Sequence, residues 1–399
     1  MTTTTTTNPT GITTITHQWA DLPRELLQLI GKHLDSRIDV YRFRAICTSW
    51  RSSVPLLPHN QFPLRRRPLY LSADAFLSPV TICRVESAHL ELSAASSSPA
   101  VPSRPWLTKV LESTQGEKQL LIPLSNYQIT TLPGTTPKSL DLLRFRLVEL
   151  TRAYMLVASS ARSVSGVSKV VVFPDYVVGV EEECVVLAIF PRGKLYYWRY
   201  GDQDWTLSDK GNHCFHDIIV YKGQLYVIDR SGTVYWIDSS LNIVQYSPLL
   251  YGCGGKKNLV ESCGDLYVVD RYFEGSRRYD DIDLDNDDFY GFVAFCPDFH
   301  ARTVDVKVYR LDEEWGTWVD VKCLGDRIFV LGSDCCFSVS AKEFAGCEGN
   351  SIYFTDQNYV DFQGEPVSAY ETRVFSLGNR KVAHPRPSSN ILRPPPIPS

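Results

Sequence analysis

Three short segments hold residue types that bind metals or phosphate in other proteins. The acidic run at 283–287 reads Asp-x-Asp-x-Asp, and alternate carboxylates suit a hard cation such as Ca²⁺. The segment at 213–216, His-Cys-x-His, places three zinc-ligand types together. The segment at 252–257, Gly-Cys-Gly-Gly-Lys-Lys, is glycine-rich and basic, as phosphate-binding loops are. Each segment therefore suggests a specific kind of binding site, and the neighbouring sequence shows whether that site is favoured.

The surroundings favour the plainer interpretation in all three cases. The acidic run has Asp288 where a calcium loop needs Gly and Ala294 where it needs Glu, which predicts a solvated loop. No second ligand pair stands at zinc-finger spacing from the histidines, so we expect a strand edge or turn there. The basic glycine segment joins two β runs, which predicts a loop. Cys335, Cys336 and Cys347 are expected to be small buried apolar residues.

No nucleophile motif stands in a credible strand–turn–helix context, because Gly-x-Ser-x-Gly and Gly-x-x-x-x-Gly-Lys are absent from such positions. We therefore predict no catalytic residue, no metal and no cofactor. A propeller-type hydrolase or lyase stays open as an alternative. It would need carboxylates or histidines to converge at a channel mouth, and only geometry reveals such a site.

Composition limits the cellular compartment and the classes of binding partner that we expect for this protein. The 399 residues carry a net charge of −4, which provides no global field toward nucleic acid or an anionic membrane. The eleven cysteines are odd in number and irregularly spaced, without Cys-x-x-Cys, which predicts a reducing compartment, the nucleus or cytoplasm. The threonine-rich residues 1–16 lack the features of a signal peptide, and the apolar stretch 184–190 is too short to span a bilayer.

The first organised segment, residues 17–54, has a helical period. Apolar residues recur at spacings of three and four, first from Leu22 to Leu34 and then from Val40 to Val54. Asp21 is a candidate N-cap, Pro23 suits a helix start, and Gly31 is a weak point in the first helix. Two short helices cannot bury this surface against each other. The stripe is therefore either a cap on the next domain or a docking surface for another protein.

This segment resembles an F-box. Its Leu-Pro-x-Glu-Leu-Leu opening at 22–27 and its Cys-x-x-Trp-Arg close at 47–51 are the most specific parts, and they stand in order at family spacing. The resemblance implies binding to the Skp-type adaptor of cullin–RING ubiquitin ligases, with Leu22 and Pro23 in direct contact. The eleven adaptor-binding residues that it implies are Leu22, Pro23, Leu26, Leu27, Ile30, Leu34, Val40, Phe43, Ile46, Cys47 and Trp50. Of these, Leu26, Ile30, Phe43, Ile46 and Trp50 are either contacts or F-box interior.

From Leu69 onward short β runs replace the helical pattern, and one of them repeats. Gly-Gln-Leu-Tyr-Val-Ile-Asp-Arg at 223–230 returns as Gly-Asp-Leu-Tyr-Val-Val-Asp-Arg at 264–271, a step of 41 residues. A looser copy begins at Gly325 and another at Gly193. The step matches one four-stranded propeller blade. We therefore predict a β-propeller of six or seven blades, since a β-sandwich would not produce the step. We expect the acidic stretch 279–290 to be an insertion in the blade between the copies at Gly264 and Gly325.

The β region is similar to the plant β-propeller domain found behind F-boxes, and the whole chain resembles plant F-box proteins of the Skp-interacting-partner type. The predicted fold is mainly β: a small all-α F-box followed by the propeller. The predicted boundaries are a disordered N-terminus at 1–16, the F-box at 17–54, a proline-rich linker at 55–68, the propeller at 69–385 and a proline-rich extended tail at 386–399.

The resemblance implies a substrate-recognition subunit of a Skp–cullin–F-box ubiquitin ligase, not an enzyme. Its expected partners are the Skp-type adaptor, cullin through that adaptor, and an unknown client protein, with no nucleic acid and no membrane. A ligase-independent scaffold stays open as a second, non-enzymatic alternative. The client-binding residues are not predicted.

Overall fold

The computed structural model forms two compact units, residues 1–60 with 175–180 and residues 61–174 with 181–399. It describes residues 5–7, 13–15, 19, 22–34, 37–54, 63–64, 75–87, 104–112, 118–124, 145–158, 167–174, 184–199, 202–208, 213–250, 252, 254–274, 302–356, 372–386 and 390–392. No helix among these residues is long and apolar enough to cross a membrane.

The first unit contains a small hairpin and three helices. The hairpin pairs β1 (Thr5–Thr7) with β2 (Thr13–Ile15), both within residues 1–16, the predicted disordered N-terminus. β-branched threonine favours extended backbone, which accounts for the local strands. The helices are α1 (Arg24–Lys32), α2 (Arg37–Ile46) and α3 (Thr48–Ser53).

The predicted second helix is in fact two helices. Cys47 adopts extended backbone, with φ −161° and ψ 176°, and separates α2 from α3. The next residues, Thr48 and Ser49, are weak helix formers in a helix interior but common at helix starts. Tertiary packing of Trp50 then sets the direction of α3, which periodicity alone did not reveal.

The second unit is built from sheets whose strand pairs are antiparallel, except for one parallel pair in the last sheet. In its nine-stranded sheet, β3 to β7 form one group and β8 to β11 form another. Only the register pair Tyr154–Val170 links the two groups among the described residues. The strands are β3 (Pro63–Leu64), β4 (Ala75–Ser87), β5 (Trp106–Glu112), β6 (Lys118–Leu121), β7 (Phe145–Ala158), β8 (Lys169–Phe173), β9 (Val185–Phe190), β10 (Lys194–Arg199) and β11 (Thr206–Leu207).

Three further sheets complete the described part of this unit. The first contains β12 (Phe215–Tyr221), β13 (Gln224–Asp229), β14 (Val234–Ile237) and β15 (Ile243–Gln245). The second contains β16 (Lys256–Ser262), β17 (Asp265–Phe273), β18 (Thr303–Asp312) and β19 (Thr317–Val321). The third contains β20 (Arg327–Leu331), β21 (Cys336–Ser340), β22 (Ser351–Thr355), β23 (Thr372–Ser376) and β24 (Lys381–Ala383).

The repeated motif marks equivalent hairpins. Gly223 and Gly264 have φ values of +72° and +85°, and each completes the tight turn into β13 or β17. The residue before each glycine also has positive φ, so the turns have the left-handed geometry that matches strand twist. The two copies thus occupy the second strand of two successive four-stranded meanders, as the blade step of 41 residues predicts.

The looser copies depart from this plan. The copy at Gly325 forms β20, which pairs antiparallel with the later strand β21 and parallel with β22. The copy that starts at Gly193 contains β10. This strand is the third of its group, after β8 and β9. The motif therefore indicates a local turn and strand, while the connection around it differs from sheet to sheet. The number of blades stays a prediction.

Neighbouring sheets meet through one strand each, since β8 neighbours β12, β12 neighbours β16, and β16 neighbours β21. Apolar side chains of adjacent sheets interlock between them; one such cluster joins Leu187 and Ile189 of β9 to Ile218 and Val227 of the next sheet. This packing of one sheet against the next is what a propeller requires.

The remaining boundary predictions meet the structure only in part. Within the predicted linker, Pro63–Leu64 pairs with β4, and 55–62 and 65–68 lie outside the described residues. The acidic stretch 279–290 also lies outside them, between β17 and β18 in the chain. Within the predicted extended tail, Ile391 and Leu392 are buried, and Ile391 O accepts a 2.6 Å bond from Leu107 N–H. This part of the tail therefore belongs to the core.

Candidate functional site

The helix α1 begins directly after the Leu-Pro dipeptide. Pro23 is its N-cap, and Pro23 O accepts a 3.1 Å hydrogen bond from Leu27 N–H. Proline lacks the N–H group that would stay unpaired at a helix start, so its presence there costs little. No side chain caps this end, and Asp21, the predicted cap, lies outside the described residues.

A small apolar core holds the three helices together. Leu27, Phe43 and Trp50 are buried, and the rings of Phe43 and Trp50 lie 4.4 Å apart between centroids. The indole Nε1–H of Trp50 donates to Trp19 O at 3.2 Å, which satisfies its polar group. Four half-buried residues surround this core: Leu22, Leu34, Cys47 and Val54.

Gly31 is required by close packing. A Cβ atom at this position would lie 2.2 Å from Val54 Cγ2, far inside van der Waals contact. The residue predicted to be a weak point of α1 is therefore the place where the chain after α3 approaches α1 most closely. The helical penalty of glycine is offset by this approach.

Arg44 and Arg51 connect α2 to α3. Arg44 Nη1 donates to Arg51 O at 2.7 Å and also to Val54 O. In return Arg51 Nε donates to Arg44 O at 3.2 Å. These bonds satisfy carbonyl groups at two helix ends, where the intrahelical pattern leaves them unpaired. Arg44 and Arg51 therefore connect the ends of α2 and α3 through their side chains.

A second apolar stripe on α1 faces solvent. Leu26, Leu29 and Ile30 stand at spacings of three and four and are 47%, 53% and 36% exposed. Ile46, at the end of α2, is 57% exposed. Pro23 is exposed as well. Exposed aliphatic residues grouped along one helix are unusual on a folded domain and are typical of interaction surfaces.

The structure divides the eleven predicted adaptor contacts into three classes. Leu27, Phe43 and Trp50 are interior; Leu22, Leu34, Val40 and Cys47 are half-buried; Pro23, Leu26, Ile30 and Ile46 are exposed. Leu29 is not among the eleven predicted contacts, although it is the most exposed of the three residues in this stripe. Its position one turn after Leu26 and directly before Ile30 was the available signal.

The segments first considered for metal or phosphate are held by internal contacts. The His213 ring packs edge-on against Tyr235, with centroids 5.1 Å apart, and His216 Nδ1 accepts from Lys257 N–H at 3.2 Å. Lys257 Nζ lies 3.2 Å from Asp270 Oδ1, and both side chains are buried. In the basic glycine segment, Gly252, Gly254 and Gly255 precede β16, Lys256 and Lys257 are its first two residues, and Cys253 lies outside the described residues. The acidic run 283–287 lies outside the described residues, among which no set of three metal-ligand side chains forms a group.

Cys336 departs from its predicted apolar role. Its thiol donates toward Asp217 Oδ2 at 3.7 Å and accepts from Asn258 Nδ2 at 3.6 Å. Burial, with the nearby Asp217 carboxylate, raises the pKa of Cys336 to about 12, so the thiol stays protonated. A thiolate nucleophile is therefore not available at this position.

Comparison with known proteins assigns both parts of the chain. The KIB1-4 beta-propeller family model matches residues 77–376, which confirms the propeller fold. A putative F-box protein of Arabidopsis thaliana is 37% identical over 353 residues, covering 86% of this chain and 90% of the relative. A second Arabidopsis F-box protein is 33% identical, covering 92% and 93% of the two chains. The Arabidopsis F-box protein SKIP23 is 31% identical, covering 91% and 90%.

The order of the two parts also agrees with these relatives, because each match extends over nearly the whole of both chains. The three helices α1 to α3 precede the family's β-propeller in a single chain. The chain therefore belongs to the KIB1-4 beta-propeller family and is one of its plant F-box proteins.

Proposed function

We propose that this chain is the substrate-recognition subunit of a Skp–cullin–F-box ubiquitin ligase. The observation that carries the proposal is the division of α1 into two apolar stripes. Leu27 closes the helical core, whereas Leu26, Leu29 and Ile30 stay in contact with water. A stripe that the helices do not need for their own packing is available to a partner protein.

The energetics favour a protein partner for this stripe. Burying an aliphatic side chain fully contributes roughly 1.5–3 kcal/mol, so covering a half-exposed leucine contributes on the order of 1 kcal/mol. Leu26, Leu29, Ile30 and Ile46 together thus provide a small hydrophobic interface centre, with Pro23 beside it. Leu27, Phe43 and Trp50 act indirectly, because they hold the helices that present these residues.

In this role the propeller binds the client protein, and cullin is reached through the adaptor. Catalysis takes place at the ubiquitin-conjugating enzyme, so the chain supplies no acid, base or nucleophile. Its contribution is proximity, since tethering a client raises the effective concentration of its lysines near the activated ubiquitin. The expected site of action is the nucleus, the cytoplasm or both, and fractionation of cells expressing the tagged chain tests this.

A double substitution on the exposed stripe tests docking. We expect Leu26→Asp with Ile30→Asp to reduce binding of a purified Skp-type adaptor by at least fiftyfold, because two carboxylates would then enter an apolar interface. The matched control is Gln28→Asp, an exposed position on the same helix, which adds charge without touching the stripe. Binding is measured by calorimetry, and circular dichroism checks that the helices persist. Unchanged adaptor affinity in the double variant would refute the docking surface.

A reconstituted reaction separates the ligase subunit from the scaffold. The full chain is mixed with adaptor, cullin–RING, conjugating enzyme and ubiquitin, and ubiquitin transfer to the chain itself is followed. We expect transfer that disappears with the double variant and persists with Gln28→Asp. Normal adaptor binding without any transfer would instead support a scaffold that acts outside the ligase.

A further inference from the structure

Aromatic side chains line the boundary between the β12–β15 sheet and the β16–β19 sheet, and we call this boundary the groove. On the first sheet, the register aligns Tyr226, Trp236 and Val244 on one face, and Tyr246 packs on Tyr226 with ring centroids 4.8 Å apart. Tyr226 is buried and Trp236 is half-buried, whereas Val244 and Tyr246 are 41% and 37% exposed. The side chains of this wall therefore range from buried at Tyr226 to exposed at Val244 and Tyr246.

The opposite wall comes from β18 and β19. Tyr309 and Trp318 pack against the same cluster of side chains as Trp236, and both are half-buried. The Trp318 Nε1–H donates to Pro248 O at 3.0 Å and fixes the separation of the walls at this point. Leu249, next to that bond, is 44% exposed. Both walls are thus rigid, and their apolar surface is only partly covered.

One end of the groove is acidic. Glu313 Oε1 accepts a 2.6 Å bond from the Tyr221 hydroxyl, and Glu313 Oε2 lies 2.7 Å from Lys222 Nζ. Partial burial by itself raises the pKa of Glu313, but the bonds from Lys222 and Tyr221 outweigh it and lower that pKa. The carboxylate is therefore charged at neutral pH. Asp312 and Glu314 flank it, and Trp315 at the hairpin tip is 75% exposed.

The cation that now neutralises Glu313 is replaceable. The Lys222 side chain is 54% exposed, and it also lies over the Tyr221 ring at 4.9 Å. Exposed ion pairs of this kind contribute roughly 0–1 kcal/mol, so exchange for another cation costs little. An incoming guanidinium or ammonium group would gain the same carboxylate and the same aromatic face. An anionic ligand such as nucleic acid would instead meet repulsion.

We propose that this groove binds a client segment that carries an arginine or lysine beside an apolar side chain. The client cation replaces Lys222 at Glu313, and the neighbouring apolar side chain lies on Val244 and Tyr246. The assignment deepens the proposed function, on which it rests, by giving the propeller a client class. Aromatic anchors next to a charged position are typical of protein-recognition surfaces.

The test uses the full chain and an array of twelve-residue peptides. The central position is arginine, lysine, citrulline or glutamate, the two neighbouring positions are leucine, phenylalanine or serine, and the rest is a glycine–serine spacer. We expect the arginine and lysine peptides with apolar neighbours to bind at least tenfold more tightly than the citrulline and serine versions. Equal binding across the array would overturn the proposal.

Substitutions that act in opposite directions sharpen the test. Glu313→Gln should weaken the selected peptides about tenfold, because the carboxylate is lost. Lys222→Ala should strengthen them severalfold, because the internal competitor is removed. The control is Lys322→Ala, an exposed lysine directly after β19 that pairs with Asp320. If Glu313 only connected the two sheets, both groove variants would lower the melting temperature and leave peptide affinity unchanged. That result would also overturn the proposal.

Adaptor binding is measured in the same variants. A native chain that shows no peptide preference but binds the adaptor normally rejects the groove and leaves the ligase role intact. Selective peptide binding by a chain that fails to bind the adaptor rejects the ligase role instead. The two proposals can therefore fail separately.

Discussion

The helical region and the propeller solve the problem of burying side chains in different ways. The three helices enclose one small apolar core around Leu27, Phe43 and Trp50, and they leave aliphatic residues in water. The propeller has strands such as β9 in which all six residues are buried, and it also buries charged side chains. The helical region therefore leaves part of its apolar surface exposed, whereas the described sheets pack against one another.

Buried ion pairs are the clearest difference. Lys169 Nζ lies 2.6 Å from Asp217 Oδ1, with both side chains almost fully enclosed between β8 and β12. Burial by itself lowers the pKa of Lys169, but Asp217 more than compensates, and the net shift is upward. Such a pair contributes little net stability, yet it is costly to break. The comparison teaches that the propeller pairs its buried charges between neighbouring strands, whereas the helices leave apolar surface exposed to solvent.

The largest expected effect comes from breaking the buried pair. Asp217→Asn should lower the free energy of unfolding by about 3–5 kcal/mol, because Lys169 would be left buried without a counter-charge. Asp217 also accepts from Leu259 N–H at 2.8 Å, so the neighbouring strand β16 is affected. The measurement is urea denaturation of the full chain.

Two variants calibrate that result. Asp320→Asn removes an exposed pair on β19 and should cost less than about 1 kcal/mol. Asp217→Asn with Lys169→Met should recover much of the loss, since no buried charge then stays unpaired. A loss from Asp217→Asn no greater than that from Asp320→Asn would mean that the buried pair does not distinguish the propeller.

A smaller effect is expected in the helical core. Gly31→Ala should destabilise the helices by about 1–3 kcal/mol, because the new methyl group overlaps Val54 Cγ2. Combining it with Val54→Ala should restore much of the helical signal and the adaptor affinity, since the obstructing methyl group is removed. Thermal unfolding followed by circular dichroism provides the readout. If Gly31→Ala alone matches the native chain, the close approach does not constrain this core.

The smallest effect is a pH dependence confined to the propeller. Burial, with Lys256 and Lys257 nearby, lowers the pKa of His216 well below its ordinary value. The unfolded chain protonates this histidine below about pH 6.5 and the folded chain does not, so stability is present above that pH and falls below it. Titration of His216 changes the free energy of unfolding by at most about 1.4 kcal/mol per pH unit.

Comparison with His216→Asn isolates that contribution, because an asparagine oxygen can still accept from Lys257 N–H. We expect the native chain to lose more stability than the variant between pH 7.0 and 5.5, by roughly 1–2 kcal/mol. Parallel pH profiles would show that another group is responsible.

Much of the propeller could be predicted from local pattern. The repeat at Gly223 and Gly264 corresponds to two equivalent hairpins, β12–β13 and β16–β17. Local turn chemistry and β-branched residues act over a few positions, so sequence reveals them directly. The different connection of β20, with a later strand on each side, involves residues far apart in the chain and left no local signal.

The docking surface was only half predictable. Periodicity identifies the apolar residues of α1, but Leu26 and Leu27 are adjacent and equally apolar, and one is exposed while the other is buried. Which of them faces inward depends on where Phe43 and Trp50 pack, and that depends on the break at Cys47. The groove beside Glu313 was missed entirely, because its two walls and its acidic end come from residues almost one hundred positions apart, Tyr221 and Glu313 among them.

By itself the sequence determined the helical start, the change to β structure after it, the blade-length repeat and the absence of a catalytic motif at credible spacing. These features depend on periods of two, three to four, or about forty residues, which are properties of the chain alone. Only the tertiary structure decided which apolar side chains stay in water and which charges are paired in the interior. Those outcomes depend on contacts between distant segments, and burial is a property of the packed whole.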